Sequence, residues 1–128
     1  MEDKRIIDEI VLQLSNFRFS RYSMAYQYLI DAIYIVVKDR NTMRDLKDYV
    51  YLPIAKRYNT RAENVQWSLT KLVDIMYTNT PAKTMYNYFN FFIFLHRYLL
   101  LFLFKYIILK FISQLKENIF YFKSLNVK

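Results

Sequence analysis

LPIAKRYNTRAENVQWSLTKLVD, residues 52–74, reads as two helices around a sharp turn, and that reading decides the fold. Leu52, Ile54 and Ala55 open a short first helix with Pro53 at an early position, where a missing N–H leaves no bond unmade. That helix ends at Tyr58-Asn59, and asparagine tolerates the left-handed backbone conformation that a tight turn without glycine requires. Thr60 then offers its hydroxyl to the free N–H groups of a second helix, and Glu63, three residues on, reaches back, so a capping box is expected here. Beyond it Val65, Leu69, Leu72, Val73 and Met76 recur at three- and four-residue steps and form one apolar stripe to be buried. The opposite face carries Arg61, Asn64, Trp67, Ser68 and Lys71.

Two short helices at an angle, the second exposing amide, aromatic and basic side chains near its start, make the pattern of a helix-turn-helix. Such a unit sets its second helix into the major groove of double-stranded DNA. An ordinary helical hairpin has the same periodicity, so at this level both readings stand open. Under the DNA reading the expected interface residues are Lys56, Arg57, Thr60, Arg61, Asn64, Trp67, Ser68 and Lys71.

The composition sets limits around this centre. The chain has 128 residues, 55% of them hydrophobic, with no glycine, no cysteine and only Pro53 and Pro81. That is enough apolar material for one domain with a single core. The lack of glycine disfavours tight β-hairpins, and an all-α fold is expected. Without cysteine there is no disulfide framework, thiol nucleophile or zinc–thiolate site, and no cleavable leader is read before the charged start MEDKR. A cytoplasmic protein is the expectation.

The net charge of +8 favours an anionic partner, DNA or a membrane surface. Its distribution matters more than its sum. Acids and bases nearly balance through Thr80, whereas beyond Pro81 the single acid Glu117 faces Lys83, Arg97, Lys105, Lys110, Lys116, Lys123 and Lys128. DNA binding therefore depends on the local placement of Lys56, Arg57, Arg61 and Lys71 rather than on a strongly basic domain.

Upstream, Glu2 to Leu14 carries Ile6, Ile7, Ile10, Val11 and Leu14 as a helical stripe, with Glu2 and Asp3 at the favourable N-terminal end. Ser15 to Ser20 is a polar connection whose Arg18, like Arg21 after it, faces solvent or a phosphate backbone. Tyr22 to Lys38 is apolar almost all round and suits the central helix of a small core, with Met24, Tyr28, Leu29, Ala32, Ile33, Ile35 and Val36 inside. Lys38 to Asn41 breaks the pattern, and Thr42 with Asp45 starts a further short helix through Val50.

At this point a resemblance emerges. AYQYLIDAI (residues 25–33), YLPIAKRYNT (51–60) and TNTPAKTMYNYF (78–89) stand in the order and at a spacing compatible with the C-terminal effector domain of the sporulation response regulator, the Spo-zero-A family. The resemblance implies an all-helical DNA-binding domain and favours the helix-turn-helix over the plain hairpin. Full-length members are controlled by an N-terminal phosphoacceptor receiver. The present chain starts shortly before its first helix, so a receiver-less regulator of transcription is expected. The family's recognition helix is rich in arginine, whereas the corresponding positions here hold Asn64, Trp67 and Thr70, so the fold is expected to persist while the target sequence changes.

Beyond this domain, expected over residues 1–89, the tail 90–128 departs from the family pattern: NFFIFLHRYLLLFLFKYIILKFISQLKENIFYF is apolar and basic, and a long C-terminal helix is expected. His96, Arg97, Lys105 and Lys110 interrupt it, and charges near the centre of a span are costly, so a clean transmembrane helix is not the default. Three readings remain: a helix packing on the domain, on a second copy as a homodimer or on a full-length regulator; a membrane anchor; and a frame-shifted coding end. No enzymatic constellation is visible. His96 is the only histidine and sits among apolar residues, no glycine-rich loop can cradle a phosphate, and the acids lie beside Lys or Arg without metal-ligand spacing. Neither a cofactor, a metal nor a catalytic residue is expected. The alternative to a DNA-binding regulator is an interaction or membrane-associated protein that keeps the fold.

Overall fold

The computed structural model describes residues 2–84, and every regular element among them is helical. Helix α1 covers Glu2–Leu14 and α2 covers Met24–Lys38. A 3-10 turn at Arg40–Arg44 and a π-helical turn at Lys47–Tyr51 lead without a break into α3, Leu52–Arg57, and α4 covers Ala62–Asn79. The expected C-terminal helix, His96 and the domain boundary at residue 90 lie outside the described residues.

Helix α2 is the hub, packing against α1, α3, α4 and both short turns. Its near-continuous apolar sequence makes this workable: Ala32, Ile33 and Val36 have no exposed surface, and Leu29 has almost none. The helix starts later than the periodicity suggested, because the Ser23 hydroxyl accepts from the Tyr26 N–H at 3.2 Å and fixes the N-cap there. Tyr22 is left outside the helix, and Met24, expected in the core, is exposed on the first turn. On α1 the buried stripe is narrower than expected: Ile6, Ile10 and Leu14 are inside, whereas Ile7 and Val11 sit at the margin of solvent.

The stretch from Thr42 to Val50 forms two pieces rather than one short helix. The Asp39 carboxylate accepts from the Asn41 N–H at 3.0 Å and starts the 3-10 turn, and the Asp45 carboxylate accepts from the Asp48 N–H at 3.1 Å and starts the π turn. Pro53 explains why the second piece widens. Its ring would collide with the carbonyl four residues back, at Tyr49, and it has no N–H to donate. The wider turn ahead of it, closed by the Leu52 N–H on the Lys47 carbonyl, accommodates both.

This arrangement buries Tyr51, and burial pushes its phenol from the ordinary 10.0 up to about 12. Below pH 10 both the folded and unfolded chains hold the proton, so nothing changes. Between about pH 10 and about 12 the unfolded chain releases it first, and stability falls as pH rises through that window. Tyr58, whose phenol is raised by burial and by its bond to Asp31, acts in the same direction. Urea unfolding followed from pH 9 to pH 12 should show this alkaline loss, and Tyr51→Phe should reduce it; an unchanged profile in the variant would assign the loss elsewhere.

Candidate nucleic-acid interface

The turn between α3 and α4 is built by a hydrogen-bond pattern that needs one residue in the left-handed region. Asn59 occupies it at φ 54°. Around it the Thr60 N–H donates to the Ala55 carbonyl at 2.8 Å and the Asn59 N–H to the Lys56 carbonyl at 3.4 Å. This is the Schellman ending of a helix, which satisfies carbonyls that would otherwise be orphaned. Asparagine bears the left-handed backbone more readily than most residues, so the chain makes the turn without glycine.

The same geometry corrects the capping box. Thr60 belongs to the ending of α3, so α4 starts one residue later than expected, with Arg61 as its N-cap and no side-chain cap bond. The Thr60 hydroxyl instead accepts from the Asn64 side-chain amide at 3.0 Å. Glu63 does not fold back onto Thr60. Its carboxylate lies 4.0 Å from Lys47 on the π turn, an exposed pair of little energetic weight.

Behind the surface, α4 is anchored as its periodicity requires: Val65, Leu69, Leu72, Val73 and Met76 are all buried. Its outer face carries Arg61, Asn64 and Lys71 exposed and Ser68 half-buried, at steps of three and four residues, with Trp67 beside them at 64% exposure. The Lys71 ammonium lies 4.7 Å from the centre of the Trp67 ring, a cation–π contact that holds a positive charge and an aromatic plane together on the open surface. Thr70 is turned away from such a role, because its hydroxyl donates to the Gln66 carbonyl at 2.9 Å.

On α3, Lys56 and Arg57 are both exposed and close the last turn. Arg57 is partly engaged: a guanidinium nitrogen stands 3.5 Å from the Asp31 carboxylate, and the group lies 5.6 Å from the Tyr58 ring centre. Asp31 also accepts the Tyr58 hydroxyl at 2.7 Å, and Tyr58 meets Tyr28 edge-on at 5.2 Å between ring centres. The core helix α2 thus grips the turn through one carboxylate. Sequence reasoning missed Asp31 and Lys47. A lone acid inside the apolar run LIDAI was the available signal for the first, whereas Lys47 reaches Glu63 only because the π turn packs on α4.

Arg18 does not join this surface. Its backbone N–H donates to the Thr80 hydroxyl at 2.9 Å, which ties it to the far end of α4, roughly 24 Å along the helix axis from Asn64. Among the described residues no cluster of three or more His, Asp or Glu side chains could hold a metal ion, and no helix is long and apolar enough to cross a membrane.

The chain has no significant match among curated proteins or solved structures. Residues 11–97 match the family described as "Sporulation initiation factor Spo0A C terminal", a stretch that takes in the last turn of α1 and all of α2, α3 and α4. Since more than half of the chain is matched and every regular element among the described residues is helical, the chain belongs to this family of sporulation-initiation effector domains, a DNA-binding regulator family rather than an enzyme family.

Proposed function

We propose that this chain is a sequence-specific, DNA-binding regulator of transcription that sets the first half of α4, from Arg61 to Lys71, into the major groove. In this reading residues 1–89 are the effector domain, residues 90–128 an appended tail, and the protein works in the cytoplasm. The observation that carries it is the outer face of α4. Arg61, Asn64, Trp67 and Lys71 stand open to solvent on a helix whose opposite face is locked into the core, in a chain of a DNA-binding family. Lys56, Arg57, Arg61 and Lys71 are the phosphate contacts, which fix register without reading sequence. Asn64, Trp67 and Ser68 lie where base edges pass, and Thr60 stands at their margin, against the Asn64 amide.

A titration of the whole chain against a mixed pool of duplexes tests this. Four phosphate contacts predict that log K falls with log salt at a slope of about −3.6, so raising salt from 50 to 200 mM weakens binding about 10²-fold. Arg61→Ala and Lys71→Ala should each weaken binding across all sequences and make that slope shallower by about 1. Binding indifferent to salt, or none at low salt by a chain that circular dichroism finds helical, would overturn the reading in favour of an apolar protein or membrane partner.

A further inference from the structure

We propose that Asn64 reads an adenine, with its amide aimed by Thr60, and that the site therefore selects A·T over G·C at that step. The proposal rests on the DNA-binding reading above and names what that site prefers.

Guanine is read in the major groove through its O6 and N7 acceptors, most often by the fork of an arginine or by a lysine. Helix α4 contains no arginine, and its one lysine, Lys71, is held over the Trp67 ring at 4.7 Å. Arg61 precedes the first turn, at the N-cap, where it flanks the groove. Cytosine is read by an acidic acceptor for its N4 amino group. The only acid of the first turn, Glu63, stands about 100° round the helix from Asn64, on the side of Lys47, 4.0 Å away.

Asn64 remains, exposed in the first turn of α4, the part of a recognition helix that meets base edges. Adenine offers N7 as acceptor and the N6 amino group as donor, and an amide matches both at once: its oxygen accepts from N6 while its nitrogen donates to N7. An asparagine amide carries two N–H donors and one acceptor oxygen. One N–H of Asn64 is donated to the Thr60 hydroxyl at 3.0 Å, which restrains the orientation of the amide. Adenine requires the oxygen and the N–H on the same edge of the amide, so in this proposal the Thr60 bond uses the other N–H, on the edge nearer the Asn64 Cβ. Thr60 can aim this group because its own backbone is pinned by the 2.8 Å bond to the Ala55 carbonyl, next to left-handed Asn59. The reader is set before DNA arrives, which lowers the ordering penalty of binding.

Selection of tight binders from a randomised duplex pool by the whole chain, at low and at moderate salt, decides the matter. One position should be enriched in adenine over guanine by roughly tenfold or more. Asn64→Ala should erase that preference while salt-dependent binding persists, and Asn64→Arg should move it to guanine. Thr60→Val should weaken the preference and Thr60→Ser restore it, with helical content unchanged in both. Guanine at that position with the native chain, no preference at all, or a Thr60→Val preference equal to the native one would overturn the proposal and leave DNA binding standing. Absence of binding to every duplex would remove the DNA reading itself and this inference with it.

Discussion

Leu69→Ala should lower the unfolding free energy by about 2–5 kcal/mol. Leu69 is almost fully buried at the middle of that helix, between Val65 and Val73 on the same stripe. Removing its outer carbons forfeits their transfer out of water and leaves a cavity in a core whose other members on α2 and α3, Ile33 and Ile54 among them, are themselves almost fully buried and leave little room to collapse. A domain of this size commands only about 4–12 kcal/mol in total, so the variant approaches the unfolding threshold at ordinary temperature. Leu69→Met keeps the volume and should lose less than about 1.5 kcal/mol. Urea titrations followed by circular dichroism, with equal slopes in the two variants, read the difference. An alanine variant as stable as the methionine one would mean that α4 is not held by this stripe. Function follows packing here, because Asn64 and Lys71 lie on the outside of the helix that Leu69 holds in place.

The apolar stripe of α4 was legible because burial on one face of a helix writes itself at intervals of three and four residues: every member, Val65 to Met76, is inside. Asn59 was legible for a different reason, since few residues enter the left-handed region and the turn offered no glycine. The helix start was not legible. Thr60 and Glu63 have the spacing of a capping box, but spacing does not reveal that the preceding helix claims the Thr60 N–H for the Ala55 carbonyl and shifts α4 by one residue. The π turn before Pro53 left no mark either, because apolar periodicity over so few residues is the same for α and π geometry. On the candidate interface, helical spacing placed Arg61, Asn64, Trp67 and Lys71 on an open face, whereas the Asn64–Thr60 bond and the Lys71–Trp67 contact depend on side-chain conformations that spacing does not specify. Arg57 was read as an interface cation, without its partner Asp31, which lies 26 positions earlier, a separation that no local pattern encodes.

Asp31→Ala should cost about 2–3 kcal/mol, most of it through Tyr58 rather than Arg57. The Arg57 guanidinium is 69% exposed and 3.5 Å from the carboxylate, so water and salt screen that pair and it contributes little. The Tyr58 hydroxyl is different: it donates to a carboxylate whose side chain is only 16% exposed, at 2.7 Å, a charge-assisted bond in a part-buried setting. Removing the acceptor leaves that hydroxyl without its partner at the turn residue that ends α3, while Tyr58→Phe removes the donor and leaves the carboxylate its exposed arginine. A double-mutant cycle of Asp31→Ala with Tyr58→Phe should therefore give a coupling of about 1–2 kcal/mol, insensitive to salt. The same cycle with Arg57→Ala should give a few tenths, shrinking as salt rises. Strict additivity of Asp31 with Tyr58 would sink the idea that α2 holds the turn. Coupling restricted to the tyrosine, in contrast, would mean that Asp31 fixes the angle between α3 and α4 while leaving Arg57 able to exchange its carboxylate for a phosphate. One acid would then hold the turn through Tyr58 and leave the cation at its edge free for another anion.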